Sequence, residues 1–296
     1  MNKNFVLIGS AGYIAERHMK AIKETGNNII CAMDKSDVMG RMDSYFPEAE
    51  FFTTFSYFER YLKRNHQDID YVSICVPNDM HLFYTRVALS YGLNVICEKP
   101  LALTVSELSN MDDAQSFSKG DVHTILQLRY HPAILQIRKN ILNGAGQKKH
   151  HVHLEYITSR GKWYYKSWKG DVERSGGVLM NIGIHFFDML LWIFGDVVSY
   201  KIHAYGKEKA TGTLELERAT VHWNLSLDYD DLPKDVKAKG QRTYRSITID
   251  GTELEFSDGF TNLHTVCYQD ILDGNGYGIV DIWKSIELVN KIQNFK

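Results

Sequence analysis

The chain of 296 residues is 44% hydrophobic and 24% charged, an ordinary globular balance that excludes a disordered, fibrous or coiled-coil protein. Its 34 Lys and Arg residues and 36 acidic residues leave a net charge of −2, so no strongly basic surface is expected to bind nucleic acid. The length predicts two domains, and the balanced charge favours a small-molecule partner.

Short apolar runs alternate with amphipathic segments over residues 1–124. The amphipathic segments predict helices, one of which begins with the capping-box pattern of Thr104 and Glu107. The predicted strands are 4–8, 29–33, 71–76, 95–97 and 122–128, and the other predicted helices are 15–25, 56–64 and 79–91. This alternation is typical of a doubly wound parallel sheet with helices on both faces, so we predict such an α/β domain here.

The pattern changes after residue 124, where strands begin to follow one another directly. The Asp250-Gly251 pair inside the last strand segment suits a two-residue hairpin turn. The predicted strands are 151–157, 201–205, 213–217, 220–228 and 246–256, and the predicted helices are 132–143, 177–194 and 279–293. Successive strands with few helices indicate an open, mainly antiparallel sheet, so we predict a second, α+β domain over residues 125–296.

The cysteines and the apolar segments indicate in which cellular compartment the protein is expected. The four cysteines show no CxxC spacing, and a chain of this size is not expected to depend on disulfides, which fits a reduced cytoplasm. The apolar run at 5–8 is too short for a signal-peptide core. Residues 182–198 contain His and Asp, whereas a membrane span needs about 20 nearly uncharged residues. We therefore expect a cytoplasmic protein without a membrane partner.

A glycine-rich turn, GSAGYIA at residues 9–15, joins the first predicted strand to the first predicted helix. Small residues let the backbone approach a pyrophosphate, and the helix N-terminus offers its free amides to that anion. The run departs from the G-x-G-x-x-G pattern, because Ser10 and Ala15 occupy two of the three glycine positions. Taken alone, the turn is also consistent with any tight connection between a strand and a helix.

Asp34 follows the second predicted strand and lies 22 residues after Gly12, close to the spacing of about 20 residues expected for a ribose-binding acid. Such a carboxylate accepts hydrogen bonds from the adenosine ribose and repels a 2′-phosphate, which favours NAD over NADP, although Lys35 beside it can moderate that repulsion. The alternative is an Asp that caps the end of a strand. Strand, turn, helix and acid together favour dinucleotide binding.

Lys99, in the run Glu98-Lys99-Pro100, follows a predicted strand at the edge where a doubly wound sheet binds its ligand. A lysine at that edge can transfer a proton or steady an alkoxide. The alternative is an ordinary exposed lysine. Pro77-Asn78 and His81 follow the preceding strand and are candidates to line the cofactor, or simply the start of a helix.

Three polar residues share one face of the otherwise apolar helix predicted at 177–194. Asn181, His185 and Asp188 are spaced i, i+4 and i+7, so their side chains point the same way. Polar groups in such a stripe need partners or a cavity. Strong zinc spacings are missing, so we predict no metal. The alternative is a histidine satisfied within the core.

Cationic and aromatic residues are concentrated in the first part of the second predicted domain. Arg forks bind carboxylates and phosphates, and aromatic faces stack on rings, so this stretch favours an anionic, ring-containing substrate. The alternative is a set of surface cations near a domain boundary. The residues concerned are Arg129, Arg160, Lys162, Trp163, Tyr164, Lys166, Trp168 and Lys169.

The motifs together resemble the Gfo/Idh/MocA sugar oxidoreductases over nearly the whole chain. The resemblance implies a Rossmann domain that binds NAD, followed by an open-sheet α/β domain that supplies the sugar site and usually the oligomer interface. It is carried by the 9–15 turn, Asp34, Val76-Pro77-Asn78 with His81, Glu98-Lys99-Pro100, and Ser175-Gly176-Gly177 with His185 and Asp188.

Further stretches resemble one subgroup, the UDP-N-acetylglucosaminuronate 3-dehydrogenases of bacterial lipopolysaccharide and O-antigen sugar biosynthesis. Asn181 agrees with this subgroup, whereas an acid is common there in the wider family. The matching stretches are residues 12–15, 127–132, 168–171 and 180–188. The subgroup implies oxidation of a sugar C3 hydroxyl by tightly held NAD, in some members recycled by 2-oxoglutarate, with an aminotransferase acting on the 3-keto product.

The residues and the resemblance together suggest candidate roles, with Arg160 and Lys162 chosen for the uronate or diphosphate by charge and position alone. His185 is the expected base and Lys99 the residue that steadies the alkoxide, or the reverse. The expected cofactor-binding residues are Gly9, Ala11, Gly12, Tyr13, Ile14, Asp34, Val76, Pro77, Asn78, His81, Glu98, Lys99, Gln127 and Trp168. The expected substrate-binding residues are Lys99, Arg129, Arg160, Lys162, Tyr164, Asn181, His185 and Asp188.

Two other functions remain open on the sequence. One is an NAD-dependent dehydrogenase of inositol or a free sugar that uses the same Lys99 and His185. The other is a non-catalytic NAD-binding regulator, which would not need a proton-transfer pair. In each case we expect a homo-oligomer, a dimer or a tetramer.

Overall fold

The computed structural model describes residues 2–38, 40–144, 148–254 and 262–295. The chain divides into two compact units. The first unit contains Met1–Gln127 and Thr261–Trp283, and the second contains Leu128–Phe260 and Lys284–Lys296. The sequence predicted that the chain passes once from the first domain to the second, after residue 124. In the structure the chain also returns to the first unit near its end, over residues 261–283.

The first unit is built on a six-stranded parallel sheet. Its strands are β1 (Asn4–Ile8), β2 (Asn28–Met33), β3 (Glu50–Phe52), β4 (Tyr71–Ile74), β5 (Asn94–Cys97) and β6 (Val122–Thr124). Their order is β3-β2-β1-β4-β5-β6, so the order reverses between β1 and β4. This is the doubly wound arrangement predicted from the sequence, and its ligands bind outside the carboxyl ends of the strands at that reversal.

The helices between these strands are α1 (Ala15–Glu24), α2 (Gly40–Tyr45), α3 (Phe55–Asn65), α4 (His81–Ser90) and α5 (Val105–Ser116). The prediction missed α2 and β3, which are short. The strand predicted at 122–128 was too long, because Gln127–Tyr130 form a 3-10 turn.

The second unit contains a six-stranded sheet that is open and mainly antiparallel, as predicted. Its strands are β7 (His150–Thr158), β8 (Val197–Tyr205), β9 (Lys209–Leu216), β10 (Ala219–Ser226), β11 (Thr243–Ile249) and β12 (Thr252–Leu254), in the order β12-β11-β7-β10-β9-β8. Only β7 and β10 pair in parallel among these described strands. Asp250 and Gly251 have φ values of 50° and 83° and form the predicted hairpin turn; residues 255 and 256 of that predicted strand lie outside the described residues.

The remaining helices are α6 (Pro132–Asn143), α7 (Lys162–Lys166), α8 (Val172–Ser175), α9 (Ile184–Phe194), α10 (Lys234–Ala238), α11 (Leu263–Leu272) and α12 (Ile279–Gln293). Helix α11 belongs to the first unit, and α12 contains residues of both units. The single helix predicted at 177–194 is instead a π-helical turn, Val178–Gly183, followed by α9.

Helix α9 supplies much of the core of the second unit. The helical stretch Val172–Phe194 is long and apolar enough to cross a membrane, but 78% of its apolar 18-residue window is buried inside the molecule. Phe187 packs edge-on against Trp223 of β10, with ring centroids 5.2 Å apart. Packing against the sheet therefore accounts for the apolar character of this stretch.

Helix α5 begins with a side-chain cap, and its removal is expected to destabilise the protein. Thr104 Oγ1 accepts a hydrogen bond from the backbone N–H of Glu107 at 3.1 Å. Because Thr104→Ala leaves this amide without its acceptor, we expect the free energy of unfolding to fall by about 1 kcal/mol. Urea unfolding measures this change. Thr104→Ser, which keeps the hydroxyl, should retain wild-type stability, and equal losses in the two variants would contradict the capping role.

Candidate active site

The glycine turn after β1 is held in a conformation that only glycine tolerates at its first position. Gly9 has a φ of 86°, and a Cβ there would lie 2.7 Å from the backbone carbon of Cys75. A Cβ on Gly12 would lie 3.1 Å from the Gly9 carbonyl oxygen. Ala15, at the third small position, is fully buried at the start of α1. The turn therefore brings the helix N-terminus close to the end of β1, as a pyrophosphate site requires.

The polar groups of the same turn fit a dinucleotide. Ser10 is 2% exposed, and its Oγ has no hydrogen-bond partner among the described residues. Ile14 occupies the N-cap of α1 without a side-chain hydrogen bond, and carbonyls of the turn accept from the Ala15 amide at 3.2 Å and from the Arg17 amide at 3.0 Å. Tyr13 is 74% exposed on the outer side of the turn.

Asp34 is joined directly to the glycine turn. Its Oδ2 accepts a hydrogen bond from the Ala11 backbone N–H at 3.0 Å, and its Oδ1 accepts one from Ser36 at 2.9 Å. A carboxylate has about four acceptor positions, so Asp34 can serve the backbone and the ribose hydroxyls at once. The two interpretations of this residue, a structural cap and a ribose ligand, are thus compatible.

His81 connects the ends of two neighbouring strands instead of facing open space. The imidazole is fully buried, with Nδ1 2.8 Å from the carbonyl oxygen of Pro100 and Nε2 3.1 Å from that of Val76. Pro77 precedes the 3-10 turn Asn78–Met80, and Asn78 is 4% exposed. These contacts place the His81 ring between the loops after β4 and β5, and the cofactor contact expected of His81 stays a prediction.

Glu98, expected as a cofactor ligand, is bound by the protein itself. It is 6% exposed. Its Oε1 accepts hydrogen bonds from Nε2 of His18 at 2.8 Å and of His264 at 2.9 Å, and its Oε2 accepts one from the Lys99 backbone N–H at 3.2 Å. Burial opposes ionisation of Glu98, but the hydrogen bonds from the two histidines outweigh it and hold the pKa of the carboxyl well below its ordinary value.

The hydrogen bonds continue from His18 into the interior. Tyr268 Oη lies 2.6 Å from His18 Nδ1 and 2.7 Å from Ser73 Oγ. We name Ser73, His18, Glu98, His264 and Tyr268 the Glu98 cluster. Three of its ligating atoms lie within 4.8 Å of one another, a spacing that a metal ion also requires. Since both imidazoles are at hydrogen-bonding distance from one oxygen, we interpret the cluster as hydrogen-bonded.

Sequence reasoning missed both histidines of this cluster. His18 lies on the buried face of α1 with Ala15, Met19 and Ile22, so a polar residue in an apolar helical stripe was the available signal. His264 lies on α11, and neither its spacing nor its surroundings in the sequence indicated a partner more than a hundred residues away.

In the second unit, two residues expected to bind substrate bind each other. Arg129 Nε and Nη2 donate to Asp188 Oδ2 and Oδ1 at 3.0 and 2.7 Å, and both residues are buried. Ser285 Oγ lies 3.2 Å from Asp188 Oδ1. This bidentate pair connects the Gln127–Tyr130 turn to α9, and the substrate contact expected of both residues stays a prediction beside this internal role.

Three other predicted residues come together at the π-helical turn. Asn181 Nδ2 donates to the hydroxyl of buried Tyr164 at 3.3 Å, and the Arg160 guanidinium lies 5.7 Å from the Tyr164 ring centre. A π-helical turn widens the helix and often marks a functional site. His185 follows on the first turn of α9.

Cations and indole rings surround this group. Lys169 Nζ lies 5.8 Å from the ring centres of both Trp163 and Trp168. Burial, and then the charge of Arg160, lower the pKa of Lys169. Lys162 is exposed at the start of α7. Gln127, in the first unit, has a buried Oε1 with no partner among the described residues.

Comparison with family models covers both units. A model described as an oxidoreductase family with an NAD-binding Rossmann fold matches residues 3–122, and the C-terminal alpha/beta domain of the same family matches residues 148–253. The two matches together extend over more than half of the chain.

A solved structure is similar over the full length. The WlbA (WbpB) dehydrogenase of Thermus thermophilus in complex with NAD and alpha-ketoglutarate is 43% identical, with a TM-score of 0.95 over 99% of this chain and 96% of that one. Its structure with NAD and UDP-GlcNAcA is 42% identical, with a TM-score of 0.94 over 99% and 95% of the two chains.

The similarity to curated relatives is partial. A putative oxidoreductase of Bacillus subtilis, YteT, is 30% identical over 165 residues, which are 54% of this chain and 38% of the relative. The matched part therefore spans about two fifths of that relative's length.

Removing one partner of the Arg129–Asp188 pair is expected to destabilise the protein strongly. Because Arg129→Met leaves a buried carboxylate without its bidentate donor, we expect the free energy of unfolding to fall by about 3–5 kcal/mol. Urea unfolding at neutral pH measures it. The double variant Arg129→Met/Asp188→Asn carries no unpaired buried charge and should recover at least half of the loss. A double variant as unstable as the single one would refute the pairing.

Acid is expected to destabilise the protein partly through His18. Burial lowers the pKa of His18 below its ordinary 6.5, so the unfolded chain binds a proton there before the folded chain does. The resulting stability is complete above pH 6.5 and is lost as the pH falls towards the folded pKa.

We expect His18→Gln, which keeps an N–H donor but does not titrate, to lose less stability than wild type between pH 7 and pH 5. The urea midpoint at each pH is the measurement. His151→Gln, at an exposed position, serves as the control and should follow wild type. A His18→Gln curve parallel to wild type would mean that His18 does not titrate differently on folding.

Proposed function

The chain belongs to the Gfo/Idh/MocA oxidoreductase family, and from this membership we propose that it oxidises the C3 hydroxyl of a UDP-linked N-acetylated sugar uronic acid with NAD. The observation that carries the proposal is the full-length similarity, at 43% identity, to a dehydrogenase whose other structure contains NAD and UDP-GlcNAcA. The proposed setting is the synthesis of bacterial lipopolysaccharide sugars.

The charges of the second unit support an anionic sugar nucleotide. Arg160, Lys162 and Lys169 lie in or beside α7, together with the rings of Trp163 and Trp168. Cations of this kind complement a uronate and a diphosphate, and an exposed indole can stack on a base. Trp163 is 57% exposed and hence available for stacking. A neutral polyol would need none of these charges.

The reaction removes a hydride and a proton from the sugar. NAD, when bound, supplies the hydride acceptor, and Asp34 favours it over a cofactor with a 2′-phosphate. An imidazole nitrogen of His185 takes the proton of the C3 hydroxyl, and the Lys99 ammonium steadies the negative charge that develops on the oxygen. The roles of Lys99 and His185 are interchangeable in this proposal. Asn181, hydrogen-bonded to Tyr164, orients the neighbouring hydroxyls.

Further elements of the proposal concern the partners and the compartment. We propose 2-oxoglutarate as the acceptor that reoxidises the cofactor, because the similar Thermus dehydrogenase was crystallised with it. All four cysteines are free and buried, which supports a cytoplasmic location. We also propose a homo-oligomer, a dimer or a tetramer, which sedimentation equilibrium would establish.

A substrate panel tests the proposed function. The purified protein is incubated with NAD, 2-oxoglutarate and one of four compounds: UDP-N-acetylglucosaminuronate, UDP-N-acetylglucosamine, myo-inositol or glucose. The 3-keto product is measured by mass spectrometry. We expect turnover of the uronate alone, or at least a hundredfold preference for it. Turnover of inositol without turnover of the uronate would establish the inositol alternative, and no turnover of any compound would favour the regulator.

Substitution of Lys99 and His185, the proposed catalytic pair, provides a second test. We expect Lys99→Ala and His185→Ala each to lower kcat by about 10²- to 10⁴-fold, the usual range for general acid–base groups. NAD binding, measured by calorimetry, should change less than threefold. The exposed residues Lys119 and His151 provide the controls Lys119→Ala and His151→Ala, which should keep wild-type rates. Near-normal turnover in either active-site variant would remove that residue from the mechanism.

A further inference from the structure

The charged carboxylate of Glu98 is buried and directly precedes Lys99, the proposed catalytic lysine, in the sequence. Glu98 lies at the carboxyl end of β5, His18 on α1 and His264 on α11, and all three are buried. Burying an ionised carboxylate costs several kcal/mol unless hydrogen bonds compensate it. Apolar side chains of similar volume would fill such a place at lower cost, so stability alone does not explain a charge here.

One arrangement of protons accounts for the hydrogen bonds described above for the Glu98 cluster. The low pKa of Glu98 keeps its carboxylate ionised and therefore an acceptor only, so both Nε2 atoms are donors. Burial lowers the pKa of His18 and keeps its ring neutral, so its Nδ1 is an acceptor. Tyr268 then donates to His18 and accepts from Ser73.

The oriented carboxylate also holds the backbone of the proposed active site. Glu98 Oε1 is occupied by the two imidazoles, which turns Oε2 towards the Lys99 backbone N–H at 3.2 Å. On the other side of Lys99, the Pro100 carbonyl oxygen is held by buried His81 at 2.8 Å. Buried groups thus hold the backbone at two neighbouring points, the Lys99 N–H through Glu98 and the Pro100 carbonyl through His81.

We propose that His18 and His264 are positioning residues: through the anion of Glu98, they fix the backbone of Lys99 and so aim its ammonium group during the reaction. The proposal rests on the catalytic role of Lys99 in the proposed function. The residues do not touch the substrate. Their effect is expected in the catalytic rate and in the reactivity of Lys99, and not in the affinity for NAD.

Replacements at position 264 separate a positioning role from a merely structural one. His264→Leu removes the donor to Glu98, whereas His264→Gln keeps an N–H donor on a side chain of similar reach. We expect His264→Leu to lower kcat at least tenfold with NAD affinity changed less than threefold, and His264→Gln to stay within threefold of wild type in both. His123→Leu, at a partly buried histidine of β6 in the same unit, is the matched control and should keep wild-type values.

A second measurement does not depend on turnover. Reductive methylation with formaldehyde and cyanoborohydride labels lysine amines, and mass spectrometry of the Lys99 peptide gives the rate for this residue alone. In protein without a sugar, we expect Glu98→Gln and His264→Leu to change the Lys99 rate at least fivefold, while the rate of exposed Lys119 stays constant. His264→Gln should label as wild type does. This measurement remains valid if the substrate has been wrongly assigned.

The outcomes distinguish the two proposals. If the labelling changes as expected but no sugar is turned over, only the proposed function fails. Folded His264→Leu protein with wild-type kcat and labelling would overturn the positioning role, and so would folded His264→Gln protein that is as slow as His264→Leu. If His264→Leu does not fold, Tyr268→Phe replaces it: this variant keeps the ring and removes the donor to His18, and a Lys99 labelling rate within twofold of wild type would then overturn the proposal.

Discussion

The ionised carboxylate of Glu98 is the constraint on which the first unit depends. It can stay charged in the interior only while two imidazoles donate to it, and these come from α1 and from α11. Because one of these imidazoles is His264, the hydrogen bond helps to hold α11, from near the end of the chain, in the unit that contains the parallel sheet. It also places the Lys99 backbone beside the charge, so the same interaction organises the core and the proposed catalytic edge.

The second unit uses a buried charge in a comparable way. Arg129 and Asp188 neutralise each other and connect a 3-10 turn to α9, the helix that carries His185. In both units, then, residues of the family motifs bind one another close in the sequence to a residue of the proposed catalytic pair. These buried, hydrogen-bonded charges support the backbone near each member of the proposed pair, and such support favours accurate placement of a proton donor and acceptor.

The sequence predicted the parallel sheet and the glycine turn well because local signals determine both. A buried strand is a short apolar run, and a positive φ demands glycine, as at Gly9. The π-helical turn and the association of α11 with the first unit were not predictable, because they depend on packing between distant segments. For the same reason the pairing of Arg129 with Asp188 was not predictable: sequence shows that a buried polar group needs a partner, but not which partner it has.

The attachment of Asp34 to the glycine turn has a consequence for engineering cofactor preference. Acceptance of NADP is commonly sought by deleting the acid that faces the ribose, yet here the same carboxylate also receives the amides of Ala11 and Ser36. A replacement without an acceptor would loosen the loop that it was meant to adapt. Libraries at position 34 should therefore be restricted to Ser, Thr and Asn and be varied together with Lys35, so that the added phosphate meets a cation on an intact loop.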